Sequence, residues 1–119
     1  MERTIVAKSS ALKDYLSLVA ALPRLDAPAQ EALERAMASG DGAAALALTE
    51  SFLPLVVAEA AARRGLGLRF EALIAAGNRG LTEGLRRKSG TLAVRVRREV
   101  RRSLRDALSR AQARIPRSW

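Results

Sequence analysis

The chain has 119 residues, a formal net charge of +9, 49% apolar residues and only 3% aromatic ones. That length suits one domain with a modest core, and the bias toward Ala, Leu and Arg with little β-branching predicts an all-α fold. Cysteine and histidine are both absent, which excludes disulfides, thiolate or imidazole metal sites, a thiol nucleophile and the commonest general base.

Ser9-Ser10 is read as the cap of a first helix to about Ala21, with residues 1–8 as a flexible leader. Leu12, Tyr15, Leu16, Val19 and Leu22 recur at three and four and form one apolar stripe. Pro23 stops that helix, because the residue before a proline is pushed out of the α region. Asp26 caps a second helix that has Pro28 in its first turn and runs to about Met37. Ser39-Gly40-Asp41-Gly42 is a turn.

A third helix from about Ala43 to Arg64 is apolar on most sides and is expected at the centre of the core. Pro54 removes one of its backbone hydrogen bonds, which predicts a kink or split near residues 51–54. Gly65-Leu66-Gly67-Leu68 reads as a flexed loop that delivers Phe70 into an apolar helical turn. Gly77-Asn78-Arg79-Gly80-Leu81 reads as a second glycine-punctuated turn, followed by a short helix to about Arg87 and a turn at Ser89-Gly90. A last long helix spans roughly Thr91 to Arg114, with Val96, Val100, Leu104, Ala107, Leu108, Ala111 and Ile115 along its apolar row. Five helices in a single domain, 1–119, are therefore expected. No internal repeat, leader peptide or apolar run of membrane-spanning length is read from the sequence, so the expectation is a cytoplasmic protein with no membrane partner.

The charge is divided unevenly. Residues 1–85 carry nine Lys/Arg and ten Asp/Glu, whereas residues 86–119 carry twelve Lys/Arg against only Glu99 and Asp106. The two segments thus hold −1 and +10, which makes 86–119 a nucleic-acid-facing segment and points to a polyanionic partner. Arg95, Arg98, Arg101, Arg102 and Arg105 fall on the wheel opposite the apolar row and are the candidate phosphate contacts, joined by Arg97.

Several landmarks occur in one order: Tyr15-Leu16, Met37-Ala38-Ser39-Gly40-Asp41, Leu53-Pro54-Leu55-Val56-Val57, Gly65-Leu66-Gly67-Leu68-Arg69-Phe70, Leu73-Ile74-Ala75-Ala76-Gly77-Asn78-Arg79-Gly80-Leu81, Val96-Arg97 and Arg114-Ile115-Pro116. This order resembles bacterial RNA polymerase sigma factors of the housekeeping class, over the end of region one and all of region two. The resemblance implies a compact multi-helix domain whose long basic C-terminal helix lies on duplex DNA. It also implies that Leu73, Ile74, Gly77 and Asn78 belong to a surface docking on the RNA polymerase core. The family carries polar docking groups where this chain has Ala72, Ala75 and Ala76. It also has aromatic rings for melting DNA where this chain has Thr91, Val94 and Arg95. Polymerase docking is therefore expected to be weak or differently built, and promoter melting by this chain alone is not expected.

These readings lead to a sigma-like DNA-binding transcription protein that associates with RNA polymerase in initiation or its regulation. A protein-interaction module, a sigma mimic that docks without reading DNA, is the alternative. An enzyme is the weakest class, since Asp41, Glu50 and Glu59 form no catalytic or metal-spaced cluster and Gly65-Leu66-Gly67 lacks the residues of a phosphate loop. No cofactor is expected. Trp119 reads as a tail residue or partner anchor.

Overall fold

The computed structural model describes residues 2–114, with side chains from Ser10 onward. Five helices follow one another: α1 (Glu2–Ala20), α2 (Ala27–Ala38), α3 (Gly42–Ala61), α4 (Phe70–Arg86) and α5 (Leu92–Ala113). The all-α class and the helix number agree with the sequence reading.

The caps explain several boundaries. Asp26 accepts a hydrogen bond from the Ala29 amide at 3.0 Å, and Asp41 accepts one from Ala44 at 3.1 Å, so each carboxylate satisfies an orphan amide of the first turn. Gly65 and Gly67 carry φ of 85° and 124°, a region that costs most residues dearly, and they turn the chain from α3 into α4.

α3 is the hub, packed against each of the other four helices. Ala44, Leu48, Phe52, Val56 and Ala60 recur every fourth residue and form its buried stripe. Leu73, Ile74 and Leu81 of α4, with Val96, Val100 and Leu104 of α5, complete the centre of the core. Leu12, Tyr15 and Leu16 of α1 pack against that core, as do Leu33 and Met37 of α2. α2 buries none of its own residues fully, so it is a covering helix.

Four expectations need correction. α1 begins at Glu2 rather than at Ser9-Ser10, because no glycine or proline interrupts residues 2–20; Met1 and the side chains of 2–9 lie outside the described residues. α3 runs unbroken through Pro54, so the split is absent; one missing backbone bond is a local cost that packing on four sides outweighs. α3 is also long and apolar enough to cross a bilayer by length and composition, since its many alanines make one long apolar stretch.

The fourth correction concerns Gly77–Leu81, which is no turn but the middle of α4. The glycines there serve close approach. A Cβ on Gly77 would sit 2.7 Å from Val56 Cγ1, one on Gly80 2.5 Å from the Glu99 carbonyl oxygen, and one on Gly84 2.8 Å from Val96 Cα. Spaced at three and four, Gly77, Gly80 and Gly84 make a smooth strip on which α5 and Val56 lie.

Candidate nucleic-acid interface

α5 is amphipathic. Leu92, Val96, Val100, Leu104 and Leu108 are buried, and the opposite face is arginine. Because residues four apart stand one above another, Arg97, Arg101 and Arg105 form one row and Arg98 and Arg102 a second. Together with Val94, which is 63% exposed, these five arginines line a hollow of about 360 Å³. Steps within a row rise about 6 Å along the helix axis.

Two of the five arginines are already engaged. Arg101 donates Nε to Glu59 Oε1 and Nη2 to Glu59 Oε2, both at 3.1 Å, a two-pronged bridge from α5 to α3. Arg63 donates to the same carboxylate at 2.9 Å. Arg98 Nε lies 3.4 Å from Glu99 Oε2, and Arg87 Nε lies 3.6 Å from its other oxygen, which partners an otherwise buried carboxylate. Among the described residues, Arg97, Arg102 and Arg105 have no carboxylate within 4.0 Å. They are the cations most available to an incoming anion.

The Arg101 hydrogen bond, more than the Arg63 contact, holds the Glu59 carboxyl below its ordinary value of 4.5, against the opposing effect of burial. A depressed carboxyl pKa contributes stability above the unfolded value, and that contribution disappears as pH falls through the folded value. Stability should therefore decline as pH drops below about 4.5, and Glu59→Gln should flatten that decline. Denaturant melts at stepped pH read this out; an unchanged profile in the variant would remove Glu59 as the cause.

Arg95 does not belong to this face. It is 2% exposed, and it donates to the Gly84 carbonyl at 2.7 Å, to the Gly90 carbonyl at 3.1 Å and to the Glu34 carboxylate. The correction was readable in principle. Leu92, Arg95 and Glu99 continue the apolar row at three and four, so Arg95 sits at the edge of the buried arc.

The docking quartet is also not a surface. Leu73 and Ile74 are 0% and 6% exposed, and Gly77 is buried against Val56. Ile74 and Asn78 only border a hollow, and among the described residues Asn78 Oδ1 is buried without a hydrogen-bond partner. Of the predicted apolar row of α5, Ala107 and Leu108 are buried and Ala111 half-buried, while Ile115, like Pro116 and Trp119, lies outside the described residues. A second basic cluster escaped the sequence reading: Arg79 of α4 meets Arg110 and Arg114 around a hollow of about 250 Å³. The arginine–alanine pattern of Arg110-Ala111 and Ala113-Arg114 carried too little periodic signal to separate it from the main face. Among the described residues, no cluster of three or more acids is placed to hold a metal ion. No protein-family model matches the chain, and no curated protein matches it significantly.

Proposed function

We propose that this domain is a cytoplasmic, sigma-like transcription protein that binds duplex DNA through the arginine rows of α5. The observation that carries the reading is the convergence of five exposed arginines on one hollow, three of them without a carboxylate partner among the described residues. Phosphate oxygens suit guanidinium forks, and Val94 at the end of the rows adds no charge to discriminate against them. Arg97, Arg102 and Arg105 bind first, while Arg98 and Arg101 exchange Glu99 and Glu59 for phosphate. Contacts of this kind fix position on the duplex and carry little sequence preference.

The reading does not depend on Leu73, Ile74 and Gly77, which are core residues, so association with RNA polymerase would have to use other groups. The second reading, a docking module that does not read DNA, draws on the open outer face of α4.

Anisotropy titration of a labelled duplex at stepped salt tests the proposal. Affinity should fall steeply with salt, and replacing Arg97, Arg102 and Arg105 together by alanine should make the logarithmic salt slope shallower by about 3, near one unit per lost phosphate contact. A folded triple variant with the parent's affinity and slope would reject the site. The absence of any salt-sensitive binding at low ionic strength would reject the function.

A further inference from the structure

We propose that the apolar corner where the α1–α2 connection meets α3 is a docking surface for a second copy of this chain. α3 buries only five of its 20 residues, although a helix this apolar suits enclosure on all sides. Its first half is open to solvent at Leu46, which is 61% exposed; Leu18, near the end of α1, is 70% exposed. These are the two most exposed leucines among the described residues. Leu46 borders a hollow of about 290 Å³, walled also by Leu22, Pro23 and Leu25 of the connection and by Ala47 and Glu50 of α3. Leu18 stands about one helical turn before Leu22.

Charge selects the occupant. Glu50 lines the hollow, and exposed Arg24 lies between Pro23 and Leu25 on its rim. Among the described residues, neither makes an ion pair within 4.0 Å. An acid and a base left unpaired on one surface answer each other when two copies meet about a two-fold axis. Glu50 of each copy then faces Arg24 of the other. The leucines are self-complementary in the same way, because each copy offers protruding side chains and a hollow to receive them. The wider charge distribution agrees. Residues 1–85 sum to −1 and 86–119 to +10. Contact through α3 and the α1–α2 connection therefore joins near-neutral surfaces, whereas contact through α5 would set like charges against each other.

The other occupants fit less well. A phosphate backbone would meet leucines and the Glu50 carboxylate, which repels it. A bilayer would have to take in Glu50 without a counter-charge, a cost that Arg24 of a second copy removes. Glu59, the other charged residue of α3, is already held by Arg63 and Arg101 on the α5 side, so Glu50 alone needs an answer here. The hollow shares no residue with the arginine hollow of α5, so both arginine faces stay open in the dimer.

Analytical ultracentrifugation of the whole chain, from about 1 μM to about 1 mM, should show a monomer–dimer equilibrium. Leu46→Glu changes an exposed position and should raise the dissociation constant at least about tenfold while helix content and melting stay those of the parent. Glu50→Arg and Arg24→Glu each set like charges opposite one another in their own homodimers, and each should weaken the dimer at least about tenfold. An equimolar mixture of these two variants should recover the dimer, because both contacts then join opposite charges. That recovery is specific to a two-fold pairing of residues 24 and 50. A chain monomeric throughout, a dimer indifferent to Leu46→Glu, or a mixture no more dimeric than its components would each overturn the proposal. So would a chain that stays monomeric but binds phosphatidylcholine vesicles and loses that binding in Leu46→Glu, which would assign the surface to a membrane. None of these results bears on whether the α5 rows bind DNA.

Discussion

Gly80→Ala should cost about 3 kcal/mol of unfolding free energy, at the upper end of what overpacking a tight core usually costs. The added methyl would stand 2.5 Å from the Glu99 carbonyl oxygen, 2.6 Å from Val100 Cα and 2.9 Å from the Glu99 carbonyl carbon, and all three are backbone atoms. A backbone neighbour cannot rotate away, so α4 and α5 must separate along a seam that holds Val96, Val100 and Leu104, each fully buried. Gly84→Ala meets Val96 Cα at 2.8 Å and should cost somewhat less. Gly77→Ala meets a side chain, Val56 Cγ1 at 2.7 Å, and so Val56→Ala should partly rescue it. Urea unfolding of the series gives the order Gly80, Gly84, Gly77 from worst to mildest. A Gly80→Ala protein as stable as the parent would show that the seam is looser than drawn here.

This seam marks where the sequence was hardest to read. Glycine breaks helices in isolation, so Gly77 and Gly80 read as a turn, although with Gly84 their spacing of three and four is also that of one helix face. Only the position of α5 decides between the two, and a neighbour brought in by tertiary packing leaves no mark on local propensity. The same holds for Pro54, whose local cost α3 absorbs because all four other helices lie against it. Features set by short-range chemistry were legible: Asp26 as a cap, the Gly65 and Gly67 bend, and the span of α5. In the candidate interface, the arginine rows followed from helical periodicity alone. Which arginine is buried, and which is held by a carboxylate from another helix, did not, since Glu34 and Glu59 are 61 and 42 residues away from their partners.

Arg95→Met should destabilise the protein by about 3 kcal/mol while leaving DNA affinity unchanged in the folded state. α4 ends at Arg86, so the Gly84 carbonyl is among those of its last turn with no amide to meet, and Arg95 Nε supplies the donor at 2.7 Å. The guanidinium thereby places a positive charge at the negative end of the α4 dipole. Its second nitrogen holds the Gly90 carbonyl of the α4–α5 connection, and its third holds Glu34, the only ion pair among the described residues that ties α2 to the rest. α2 has no fully buried residue, so this pair, the Gln30 to Ser51 hydrogen bond at 3.2 Å and the partial burial of Leu33 and Met37 are what keep it in place. Methionine keeps much of the volume but leaves two carbonyls and one carboxylate unpaired, and lysine offers a single point of contact where three are needed. Glu34→Gln keeps a hydrogen bond and should cost clearly less than Arg95→Met. Hydrogen exchange should show α2 opening first in Arg95→Met, well before α3 and α5. A folded Arg95→Met protein that loses as much DNA affinity as Arg102→Ala would return Arg95 to the binding face and overturn its assignment as the tie between α2, α4 and α5.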